Sequence, residues 1–117
     1  MHKYRAKKAS ADGILFDSKA ERLYYLIHKK NQNMKRQETF VLQEKFKLNG
    51  KTYRAINYKP DFTFYDDEGN LIKVVDVKGM VLSEFTIKAK LFTKKYGIAI
   101  TIAKKDSKTN RFVEYQI

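Results

Sequence analysis

The chain has 117 residues, 43% of them apolar and with eight Tyr and eight Phe, enough for the core of one domain, while 25 Lys and Arg against 13 Asp and Glu leave a formal charge of +12 that points to a polyanionic partner, nucleic acid first and an anionic membrane surface second. The absence of Cys excludes disulfides and thiolate metal sites, and His2 and His28 alone support zinc poorly, so any metal is expected on oxygen ligands. No apolar run reaches the roughly 18 to 20 residues that span a bilayer, and MHKYRAKKASADG leads into no secretory apolar core, so a cytoplasmic protein is expected.

Residues 1–13 read as a basic arm, and 14–117 as the single domain. Lys3, Tyr4, Arg5, Lys7 and Lys8 suit a phosphate backbone and equally suit a solvated tail, with Asp12-Gly13 as the turn that ends the arm. In FDSKAERLYYLIHKKN, Ser18 stands three residues before Glu21, the spacing of a capping box, and Ala20, Leu23, Leu26 and Ile27 share an apolar side, which predicts a helix over 18–31. From residue 39 the period shifts toward two, predicting strands near 39–48, 51–57, 58–65 and 71–78, with Asn49-Gly50 as a hairpin turn; 51–57 and 58–65 are compatible with one bent strand. Helical spacing returns with Phe85, Ala89, Phe92 and Tyr96, opened by Ser83 and closed by Gly97. IAITIA reads as a buried strand, and RFVEYQI can pair beside it. The order predicts an α/β sandwich with a mixed sheet.

The segment YKPDFTFYDDEGNLIKVVDVKG carries the chemistry. If residues 67–70 form the loop, Asp66 faces Leu71 and, in step, Asp61 faces Asp76, with their Cβ atoms roughly 4.5 to 5.5 Å apart and Lys78 on the same face. Opposed carboxylates destabilise a sheet unless a cation or a shifted proton compensates, and magnesium is satisfied by a pair of acids plus waters and phosphate oxygens. Phosphodiester hydrolysis needs an activated water and stabilised phosphoryl charge, which metal ions on paired carboxylates supply and which a neighbouring lysine can assist. A register off by one residue instead puts the acids on opposite faces and leaves Lys78 an ordinary edge charge.

Pro60-Asp61 followed by Asp76-Val77-Lys78 resembles the PD-(D/E)XK nuclease motif. KYRAKK, DGILFDSKAERLYYL, YKPDFTFY and VVDVKG, in that order, are similar to small phage and prophage endodeoxyribonucleases related to Holliday-junction resolvases. The resemblance implies a restriction-endonuclease-like core, a mixed central sheet flanked by helices. It also implies Asp61 and Asp76 as ligands of magnesium or manganese, Lys78 as the catalytic lysine, and Glu21 as the helix acid completing the metal site. Glu21 is equally explained as the capping-box partner of Ser18.

Among the neighbours, Lys88 falls where similar enzymes place a polar residue near the active centre, and a snorkelling surface lysine explains it as well. Gln43 resembles a glutamine of relatives or is simply an exposed strand residue, His28 is expected to be packed or solvated, and the acids of YDDEGN are expected to form the turn. The expected activity is metal-dependent cutting of branched DNA in phage recombination or replication. It would be performed by a homodimer, since two cuts need two sites, with Met80, Val81 and Leu82 as possible seam residues. The rivals are a non-catalytic DNA-binding module and a protein that binds another nuclease or a recombination factor.

Overall fold

The computed structural model describes residues 7–117. The chain forms a mixed α/β fold, a five-stranded sheet with one helix on each face. A hairpin comes first, β1 (Ala9–Ala11) and β2 (Ile14–Phe16), turned at Asp12-Gly13, where φ is 51° and 75°. The basic arm therefore does not run to residue 13: residues 9–11 are strand and Ala9 is buried.

α1 (Lys19–His28) starts where expected, with Ser18 Oγ accepting from the Glu21 N–H at 3.0 Å, and ends three residues earlier than residue 31. Its inward face differs from the expected one. Leu26 and Ile27 are exposed, and the helix packs instead through Glu21 and Tyr24. The reason is aromatic: the Tyr24 ring lies 5.1 Å from Phe62 and 5.2 Å from Phe112, and its hydroxyl donates to Glu114 at 2.9 Å, a set of partners that no leucine could satisfy.

β3 (Met34–Arg36), which the charged run NMKRQ does not announce, follows as an edge strand. The expected 39–48 and 51–57 strands are each broken in two. β4 (Phe40–Gln43) pairs with β7 (Ile56–Tyr58), and β5 (Phe46–Leu48) pairs with β6 (Lys51–Tyr53) around the Asn49-Gly50 turn, so the unit is one long interrupted hairpin. β8 (Phe62–Tyr65) and β9 (Leu71–Val77) form the next hairpin. α2 (Ser83–Tyr96) then crosses over to β10 (Ile100–Lys105), which runs parallel to β9, and β11 (Phe112–Gln116) closes the order β11-β10-β9-β8-β3. Gly97 ends α2 in the left-handed region at φ 72°, its N–H donating to the Thr93 carbonyl. The residue at the cap of α2 is Leu82 rather than Ser83, with no side-chain cap bond.

The sheet separates two cores. On the α2 face Leu42, Tyr58, Val74, Ala89, Phe92, Ile100 and Ile102 pack together, under the small β4–β7 sheet. On the α1 face Phe16, Tyr24, Phe62, Phe64, Val75 and Ala103 do so. The parallel β9–α2–β10 crossover thus brings the C-terminal end of β9 out beside the start of α2, which is where Asp76 and Lys78 emerge.

Candidate active site

The register of β8 and β9 decides whether the acids meet. Phe62 pairs with Val75, Thr63 with Val74 and Phe64 with Lys73, the phase that sets Asp61 level with Asp76. The turn itself differs from the expected one, because Tyr65 pairs with Leu71 and Asp66 N–H donates to the Asn70 carbonyl. Ile72 bulges out and absorbs the offset, so the expected alignment at the far end stands. Asp66 is the turn former, its Oδ1 accepting from the N–H groups of Glu68 and Asn70 at 2.9 and 2.8 Å.

Asp61 follows the buried Pro60 and is fixed by the Val77 N–H, which donates to Oδ2 at 2.8 Å. Asp76 is buried, with the Tyr58 hydroxyl donating to its Oδ2 and the Lys78 ammonium 3.9 Å from Oδ1. Lys78 stands over the Phe85 ring at 4.3 Å from the centroid, so α2 supplies an aromatic wall that steers the ammonium toward the acids. Glu21 is buried, reached by Arg36 at 3.7 Å and by the Gln37 amide at 3.4 Å. Its carboxylate is therefore held by β3 and the residue after it.

Asp61, Asp76, Lys78, Glu21, Ser18 and Lys8 line one cleft of about 630 Å³. Lys88 lines a neighbouring cleft of about 420 Å³ that shares Asp76 and Lys78 with the first. Lys8 forms an ion pair with Asp17 at 3.2 Å at the rim, whereas Lys7 is exposed. Lys3, Tyr4 and Arg5 lie outside the described residues. Gln43 is exposed on β4, and His28 is packed, 4.2 Å from the Tyr24 ring centroid. Arg36 and Gln37 belong to the site although no motif marks them, and so does Tyr58, which opens the block YKPDFTFY but is given no role by it. Tyr58 ends the Ile56-Asn57-Tyr58 alternation just before Pro60, which is the one signal that it would face inward with Asp76.

The electrostatics are those of buried acids crowded together, offset only in part by Lys78 beside Asp76 and Arg36 beside Glu21. Burial pushes the Asp61 carboxyl up to about 8, helped by the charges of Asp76 and Glu21. Burial also raises Asp76, against the opposing pull of Lys78 and the Tyr58 hydroxyl. Glu21 is raised by burial and by Asp17, with Arg36 pulling it back. Such a site favours an added cation. Among the described residues no three His, Asp or Glu side chains converge closely enough to enclose a metal by themselves. The donor set still fits magnesium or manganese, which need one or two carboxylates and fill the remaining positions with water and phosphate oxygens.

The fold and cleft define a mixed α/β protein with a paired-carboxylate site; among the described residues no helix is long and apolar enough to cross a membrane. The chain belongs to the family described as Protein of unknown function (DUF1064), which matches residues 1–114. No curated protein and no solved structure matches it.

Proposed function

We propose that the protein is a metal-dependent endodeoxyribonuclease with a restriction-endonuclease-like core that hydrolyses phosphodiesters in branched DNA, working as a homodimer in phage recombination or replication in the host cytoplasm. The observation that carries this reading is the meeting of Asp61, Asp76 and Lys78 in one open cleft, beside Glu21, on a chain of formal charge +12. A protein that only coats DNA gains nothing from buried acids facing a polyanion.

A bound magnesium or manganese ion would supply charge stabilisation at the phosphoryl oxygens and a more acidic water. Asp61 and Asp76 would hold it, each already oriented through one oxygen by the Val77 N–H and the Tyr58 hydroxyl. Glu21 would contribute from the far wall once displaced from Arg36. Lys78, whose ammonium lies 3.9 Å from Asp76, would orient the attacking water and offset the negative charge that grows on the phosphate. In the overall reaction the water oxygen bonds to phosphorus, the bond from phosphorus to the leaving oxygen breaks, and that oxygen acquires a proton. Met80 and Leu82, candidates for a dimer seam, are exposed at the neighbouring cleft, while Val81 packs against the α2 core.

The test is cleavage of a labelled four-way junction, beside duplex and single-strand controls, with magnesium, manganese or chelator. Metal-dependent cutting of the junction that Asp76→Ala abolishes is the expected result. Junction binding without cutting of any substrate would instead establish a DNA-binding module without turnover.

A further inference from the structure

The β5–β6 ribbon stands apart from both cores. Among the described residues its strands hydrogen-bond to no strand but each other, and all six of its residues are exposed. The Asn49-Gly50 turn, with φ of 52° and 77°, closes it in the two-residue geometry that matches strand twist. Phe46 pairs with Tyr53 and Leu48 with Lys51, so these four share one face, while Lys47 and Thr52 share the other. The Phe46 and Tyr53 rings stack at 4.8 Å and 7°, and the Lys51 ammonium lies 5.1 Å from the Tyr53 centroid.

A bland account exists for the rings. A cross-strand aromatic pair returns roughly 0.2 to 1 kcal/mol to a ribbon that is only marginally stable by itself. It does not account for Leu48, which is 57% exposed beside the turn with only a lysine across from it. Nor does it account for the charge, since Lys45, Lys47, Lys51 and Arg54 stand against Glu44 alone between residues 44 and 54. An apolar protein partner would have to strip water from those cations. A nucleic acid satisfies both features, since its phosphates accept the cations and the flat face of any base can stack on the rings.

We infer that the β5–β6 ribbon is a DNA wedge: Phe46, Leu48 and Tyr53 receive unpaired or unstacked bases, and Lys47, Lys51, Lys45 and Arg54 hold the phosphates on either side. The inference rests on the nuclease reading for the choice of DNA as partner and goes beyond it by assigning recognition of the branch to an element outside the cleft. A two-stranded ribbon is narrow enough to enter an opened junction, where apolar side chains inserted between base steps hold the strands apart.

The experiment is binding in chelator, which blocks cutting, of the full-length protein to a four-way junction, a single strand and a blunt duplex. The junction carries 2-aminopurine at the branch point. Phe46→Ala with Tyr53→Ala is expected to weaken junction and single-strand binding by roughly 10-fold or more and duplex binding by less than about threefold. The 2-aminopurine signal should rise with the wild-type chain and stay flat with the double variant, while Tyr53→Phe keeps both. Phe46→Leu with Tyr53→Leu retains apolar cover without flat faces and decides the matter equally if the alanine variant melts early. Equal loss on all three substrates, or no loss on any, overturns the wedge. So does unchanged DNA binding with a fall to monomer mass, which would make the ribbon a contact between copies. Junction binding that depends on the rings without any metal-dependent cutting sinks the nuclease reading and leaves the wedge. Cutting that ignores the rings does the reverse.

Discussion

Asp61 and Asp76 face each other across the end of a hairpin, with the Lys78 ammonium 3.9 Å from Asp76 Oδ1. Their protonation is therefore linked to folding. Burial and the neighbouring acids raise Asp61 to about 8, so between the ordinary carboxylate range and that value the folded chain binds more protons than the unfolded one. Stability from this pair is present at low pH and is lost as pH rises toward 8. In thermal melts of metal-free protein, Asp61→Asn should flatten that decline and raise Tm at pH 8 by several degrees, since about 1 kcal/mol moves a domain of this size by roughly 4 °C. The asparagine can still accept from the Val77 N–H and can donate to Asp76, so it relieves the repulsion without opening the site. A slope that steepens in the variant would refute the assignment. Tyr58→Phe tests the other acid. It removes the donor to Asp76 from a buried position and should cost about 1.5 to 3 kcal/mol in denaturant unfolding at neutral pH. Lys78→Met replaces the ammonium over Phe85 with an unbranched apolar chain of similar length, so it should leave the fold and junction binding intact and lower cutting by roughly 100-fold or more.

At the scale of elements, the β8–β9 hairpin shows how register survives an irregular turn. Val75 and Val77 pack toward α1 and Val74 toward α2, and strict alternation would send Leu71 to the α1 side with Val75. The bulge at Ile72 shifts the phase, and Leu71 packs against the α2 core instead. Deleting the exposed Ile72 should therefore leave Leu71 on the same face and Asp61 level with Asp76, with Tm within a few degrees of wild type. Deleting Val75 would put Asp76 on the wrong face and should abolish the cooperative melt. The acid alignment was legible in the sequence as one of two registers, and it stands although the turn differs by one residue because the bulge at Ile72 compensates, whereas helix α2 was legible because Phe85, Ala89 and Phe92 repeat at helical intervals up to a left-handed glycine. The face of α1 was not. Hydropathy favours Leu26 and Ile27, whereas Tyr24 and Glu21 are buried by partners distant in sequence, Phe62, Phe112 and Arg36. The breaks within the long hairpin were hidden for a related reason, since Phe46, Leu48 and Tyr53 alternate as a core strand would but are exposed.

Across the whole molecule, cations are spread along the chain and outnumber acids, giving a formal charge of +12, while the paired acids Asp61 and Asp76 line one cleft. That arrangement separates two contributions to DNA binding that affinity alone would merge. Phosphate contacts release counterions, and log K falls with log salt by about 0.9 per phosphate neutralised on duplex and about 0.7 on a single strand. Stacking on Phe46 and Tyr53 releases none. Binding of the chain to a four-way junction, titrated in salt, should weaken steeply, with Lys47→Ala reducing the slope by about 1 and Phe46→Ala with Tyr53→Ala lowering affinity at every salt concentration without changing the slope. A flat response in the wild type would remove nucleic acid as the partner of this basic surface. A slope that falls in the ring variant would mean that the rings act by positioning the neighbouring cations, so that the exposed aromatic face contributes through Lys51 rather than through bases.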